Sequence, residues 1–163
     1  MSRRFFLVAI GAGLLALALL SPLAARAGEE AVLTVTPAPG AAARALSLAE
    51  IEAMGAVELR TTTPWTEGEQ VFLGVPGANF VAALGLAGTE VSAVAVNDYR
   101  IAIPFEVFAD PDTLIAYARN GKKMTVRDKG PLWIVFPFDS DGKFLTDTYK
   151  SYAIWSLTHV EIR

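Results

Sequence analysis

Arg119, Lys122, Lys123, Arg127 and Lys129, with Asp128 among them, form the basic concentration of an otherwise acidic chain. Clustered cations next to the Gly130-Pro131 step have the chemistry of an anion or partner site, to which free backbone N–H groups of the turn would contribute. The plainer reading is a solvated hairpin whose lysines keep a sheet edge from aggregating. That reading suits Lys122 and Lys123 at the turn tip, whereas Arg127, Asp128 and Lys129 sit where a buried strand begins and need partners. Trp65, in a polar loop after Thr61, Thr62 and Thr63, offers a flat recognition surface or a lid on the core. Asn97, Asp98 and Tyr99 present polar groups, and a turn accounts for the first two without function. Tyr117 and Trp133 lie in strand-like runs and read as core. Glu67, Glu69 and Glu106 have no spacing that makes a general acid–base pair. His159 is the only histidine and there is no cysteine. Disulfides, iron–sulfur clusters and thiolate zinc sites are therefore excluded, and a Ser-His-Asp triad has one residue to rest on.

The elements that must position these residues are short. Residues 31–36 alternate apolar and polar positions as a strand does, and 37–43 read as a Pro/Gly/Ala linker. Ser47 and Glu50 form a capping-box pattern before a helix whose face carries Leu48, Ile51 and Met54, stopped by Gly55. Strands follow at 57–63 and 71–75, then a helix at 79–84 ended by Gly85. Runs 91–96 and 99–103 flank Asn97-Asp98 as a two-residue hairpin link, and 114–119 and 123–126 flank Asn120-Gly121. Residues 132–136 form a strand, 139–147 a polar loop. The alternation of 154–162 places Ile154, Val160 and Ile162 opposite Trp155 and Leu157. Many short strands and a few short helices predict an α+β domain around a mixed sheet or partial barrel.

Arg3 and Arg4 precede an apolar run, and Ala25-Arg26-Ala27 follows it, the layout of a secretory signal peptide over 1–27. Ser2-Arg3-Arg4-Phe5-Phe6-Leu7 also has the twin-arginine pattern, and both export routes stay open. Cleavage near Ala27 predicts a periplasmic or otherwise exported chain with no remaining membrane span. Taking Arg3, Arg4 and Arg26 from the 14 basic residues leaves 11 against 17 acidic ones. A chain with that balance has no bulk attraction for nucleic acid. Residues 28–45 are expected to form an N-terminal strand and linker, and 46–163 the domain proper.

The succession from Leu114 through Asn120-Gly121 and Gly130-Pro131 to the strand closed by Pro137 resembles the late part of the sulfite-oxidase-type molybdopterin-binding domain. Phe72-Leu73-Gly74-Val75, Leu84-Gly85, the run from Tyr99 to Pro104, and Trp155-Ser156-Leu157 with Val160-Glu161-Ile162 are similar to further pieces of that family in the same order. The resemblance spans most of 46–163 and implies that fold, with Trp65, Asn97, Asp98, Tyr99, Arg127, Asp128 and Lys129 about a cleft inherited from the pterin site. Two departures matter. Catalytic members carry a molybdenum-ligating cysteine where this chain has Thr61, and a hydroxyl does not replace a soft thiolate. The segment that supplies many pterin contacts is also nearly absent.

The resemblance thus implies a non-catalytic module that binds a small anionic ligand or a protein partner, with no cofactor required. A dithiolene holds its metal without help from the protein, so a molybdopterin-dependent oxidoreductase lacking the thiolate stays open beside it. So does a sensory or accessory subunit that docks to a membrane protein through the basic hairpin.

Overall fold

Among the described residues, strand alternation and turn chemistry assemble two five-stranded sheets that share one hydrophobic core. A computed structural model of the chain describes residues 30–163. The signal peptide and twin-arginine expectations lie outside the described residues. Sheet A contains β1 (Ala31–Thr36), β2 (Arg44–Ser47), β5 (Glu90–Ala95), β6 (Arg100–Pro104) and β10 (Leu157–Ile162), in the order β2-β1-β10-β5-β6. Sheet B contains β3 (Val57–Thr61), β4 (Gln70–Pro76), β7 (Leu114–Arg119) and β8 (Lys122–Lys123) in sequence order, with β9 (Trp133–Val135) also paired to β7. The helices α1 (Leu48–Glu52), α2 (Gly77–Leu84), α3 (Phe105–Phe108) and α4 (Asp147–Tyr152) are short. The architecture is α+β, as the spacing of strand and helix signals predicts. Among the described residues no helix is long and apolar enough to cross a membrane.

Local rules account for much of this. The Ser47 side chain accepts from Glu50 N while the Glu50 carboxylate accepts from Ser47 N, which satisfies two donors at the start of α1. Ile51, on the inner face of α1, is fully buried. Asn120 and Gly121 both take positive φ, 51° and 76°, and close the β7–β8 hairpin with Arg119 opposite Lys122. Gly85 ends α2 in the left-handed region.

Several boundaries differ from expectation. After the linker a further short strand appears, β2, which pairs antiparallel with β1, and β1 in turn lies between β2 and β10. The β5–β6 connection is longer than two residues, since Ala95 N donates to Tyr99 O and Asp98 takes φ 63°. Strand β8 stops at Lys123, and Val126–Asp128 wind into a 3-10 turn. The last strand starts at Leu157 rather than at residue 154. A register shift between Leu157 and His159 places Leu157 on the same buried side as Val160 and Ile162. A bulge adds one residue to one strand and so inverts the alternation that period-2 reading relies on.

Candidate functional site

The two sheets are stitched together by the segment just before β10, and the candidate site lies along that stitch. Ile134 N donates to Ile154 O (2.9 Å), Ser156 N to Lys129 O (3.0 Å), Leu157 N to Leu132 O (3.0 Å) and Val96 N to Ser156 O (2.9 Å). Ser156 turns the chain with φ 52°. Trp155 is thereby held between the β9 side of sheet B and the end of β5 in sheet A.

Around it all three tryptophans of the chain meet. The Trp65 ring centroid lies 5.5 Å from Trp155, 6.0 Å from Trp133 and 5.8 Å from Phe138. Trp133 is fully buried and donates from Nε1 to Ala153 O (3.2 Å). Lys129 Nζ stands 4.1 Å from the Trp155 centroid and 5.7 Å from that of Trp133. Tilted and edge-on rings at such spacing attract beyond their buried area, and the ammonium adds a cation–π contact.

Two hollows adjoin this cluster and share Trp65. The first, of about 390 Å³, is lined by Trp65, Thr66, Glu67, Gln70, Arg119, Arg127, Asp128 and Lys129. Three cations and two carboxylates leave it a net positive wall. Among the described residues, neither Arg119 nor Arg127 has a carboxylate within ion-pair distance. Asp128 accepts instead from Thr125 Oγ1 (2.7 Å). The second hollow, of about 430 Å³, is bounded by the end of β5, the β5–β6 connection and the end of α4 together with Trp65 and Trp155.

No family model matches the sequence, and no curated protein does. The site must therefore be understood from its own residues.

Of the sequence candidates, Trp65, Arg127, Asp128 and Lys129 come together at the first hollow, and Trp65, Asn97 and Tyr99 at the second. Asp98 lines neither and serves the turn. Thr61 also lines neither, contrary to its expected place at a cleft. It is fully buried, and its hydroxyl lies 3.0 Å from Thr62 O and 3.3 Å from Asp139 Oδ2. The turn at Gly130 differs from expectation too. The N–H groups of Asp128 and Gly130 are not free, because both donate to Thr125 O (2.8 and 2.7 Å). Those two N–H groups are therefore not available to an anion. Lys123 pairs with Glu52 at 2.9 Å and lies outside both hollows, as does Lys122.

Asp139 escaped the sequence reading, being one acid in a polar loop. Its carboxylate accepts from the Thr62 hydroxyl and the Thr62 N–H, and lies next to Thr61 Oγ1. These bonds, that of the Thr62 hydroxyl foremost, hold its pKa below the ordinary aspartate value of 3.8. A folded-state pKa lowered in this way contributes stability that is complete above the unfolded value. That contribution is lost as pH falls through the folded one. Asp139→Asn is therefore expected to be less stable than wild type at neutral pH, with the gap narrowing on acidification below about pH 4. Urea unfolding at pH 7 and pH 3 measures it; a gap that stays constant would rule out the carboxylate as the clamp.

Proposed function

We propose that this chain is an exported, non-catalytic binding module on a sulfite-oxidase-type scaffold, and that its first hollow takes a small oxyanion. The observation that carries this reading is the convergence of Arg119, Arg127 and Lys129 on one hollow beside Trp65, with both guanidiniums lacking a carboxylate partner among the described residues. Guanidinium groups present forked donors that match carboxylate, sulfate or phosphate oxygens. Export rests on the N-terminal sequence pattern, and the scaffold on the order of the resembling segments.

The residues do not fit a protein-ligated molybdenum. Thr61, at the ligand position of the resemblance, is a hard hydroxyl engaged with Thr62 and Asp139, and it lines neither hollow. Among the described residues no cluster of three or more His, Cys, Asp or Glu stands ready for a metal. A binding role is the reading that these side chains support.

Sulfate and phosphate, compared with chloride at matched ionic strength, test the hollow. An anion at tenfold its dissociation constant adds about 1.4 kcal/mol to folded-state stability. That raises the melting temperature by about 3–6 °C for a domain of this size. Arg127→Gln is expected to abolish most of the rise without changing the melting temperature in chloride, since Arg127 is exposed and unpaired. Equal responses to all three anions, or an unaltered response in the variant, would remove the basis for the proposal.

A further inference from the structure

The second hollow differs in kind from the first. Its walls are Trp65, Trp155 and Tyr99, with Ala95, Ala153 and Ile154 between them. Its polar groups are few: Asn97, Lys150 and Ser151. At about 430 Å³ it lies within the ~300–1,000 Å³ range of small-molecule sites, which share this pattern of apolar walls and a few polar groups that fix orientation. Tyr99 and Trp155 remain 50% and 37% exposed, a large aromatic area to leave against water in one depression. Trp155 is also held in place, by Lys129 at 4.1 Å and by the Trp65 and Trp133 rings at 5.5 and 6.2 Å. A wall fixed before binding loses little side-chain entropy when a ligand arrives.

The polar groups select for charge. Ser151 Oγ already donates to Thr148 O (2.6 Å). Asn97 Oδ1 accepts from Tyr99 N (3.3 Å), which leaves its amide N–H groups as donors. The carboxylate near Lys150 is that of Asp147, at 3.7 Å on the same helix and fully solvent-exposed, a weak pair by distance and by screening. The hollow thus offers aromatic faces, one ammonium and one amide donor. We propose that it is a second binding site, for a small aromatic carboxylate whose ring packs between Trp65, Trp155 and Tyr99 and whose carboxylate meets Lys150 and Asn97. This goes beyond the oxyanion hollow and does not depend on it.

The test is titration calorimetry of the whole purified chain with 2-naphthoate, 2-naphthylmethanol and cyclohexanecarboxylate, with indole N–H resonances followed in parallel. 2-Naphthoate is expected to bind one-to-one, shifting the indole signals of Trp65 and Trp155 more than that of buried Trp133. The alcohol, which lacks the charge, and the saturated acid, which lacks the flat ring, are each expected to bind about tenfold more weakly. Lys150→Gln is expected to weaken 2-naphthoate about tenfold, and Tyr99→Ala about threefold to tenfold. Both residues are solvent-accessible, so these variants are expected to keep the wild-type melting temperature. Arg127→Gln is expected to leave 2-naphthoate binding unchanged, just as Lys150→Gln is expected to leave the sulfate response unchanged, so each hollow fails or stands separately. Three results would overturn the proposal: no binding at millimolar concentration, binding indifferent to Lys150→Gln and Tyr99→Ala, or binding lost in Arg127→Gln instead.

Discussion

Trp133→Ala is expected to remove about 3–5 kcal/mol of folding stability, a large share of the ~5–15 kcal/mol that holds a domain of this size together. The indole is fully buried and meets Phe72 edge-on at 5.4 Å, with Trp65 and Trp155 at 6.0 and 6.2 Å. Removing it opens a cavity against Phe72, Trp65 and Trp155, and Trp65 lines both hollows. It also takes away the donor to Ala153 O. Trp133→Phe separates the two effects, since it keeps most of the apolar volume and loses the N–H; it is expected to fall about 1–3 kcal/mol below wild type. Urea unfolding with an unchanged m-value reads both variants. An alanine variant within about 1 kcal/mol of wild type would mean that the ring does not close the core.

Gly77→Ala is expected to act by the opposite route, overfilling rather than emptying. Gly77 opens α2 directly after β4, is buried, and donates its N–H to Thr113 O at 2.7 Å. A Cβ there would overlap Phe108 O and lie 3.1 Å from Asp110 O. These are backbone atoms, so no side-chain rotation relieves the clash; either α2 or the chain between α3 and β7 must move. The expected loss is at or above the upper end of the ~1–3 kcal/mol seen when cores are overpacked. Thermal unfolding of the variant measures it. A fall in melting temperature of under about 2 °C would show that residues 105–113 yield easily.

Local chemistry was readable wherever a feature rests on neighbours in sequence. The Ser47–Glu50 capping box, the Asn120-Gly121 hairpin and the Gly85 stop each depend on contacts within a few residues, and each forms as expected. Trp133 and Tyr117 are buried as their apolar runs imply. What failed depends on partners distant in sequence. Strand β2 (RALS) has no strong alternation and exists because β1 offers it an edge. The bulge after Leu157 is set by pairing to β5.

The candidate site divides in the same way. Trp65, Asn97, Tyr99 and Lys129 stood out by residue type. Lys150 did not, because a lysine on a short polar helix has no sequence signal until the fold brings it to the same hollow as Tyr99. Asp139 was equally silent, its role as acceptor for Thr62 depending on a contact across 77 residues. Thr61 was placed by analogy alone, and its burial behind that carboxylate follows from pairings that no short motif specifies.

The position of β10 bears on how the molecule comes into being. Sheet A needs this strand in its middle, parallel to β1 and antiparallel to β5, yet it follows all the other described strands in the sequence. Until it emerges, β1 with β2 and β5 with β6 are two separate hairpins that cannot complete a sheet. Closing sheet A therefore depends on pairings between strands far apart in the sequence, the kind of contact that folds slowly.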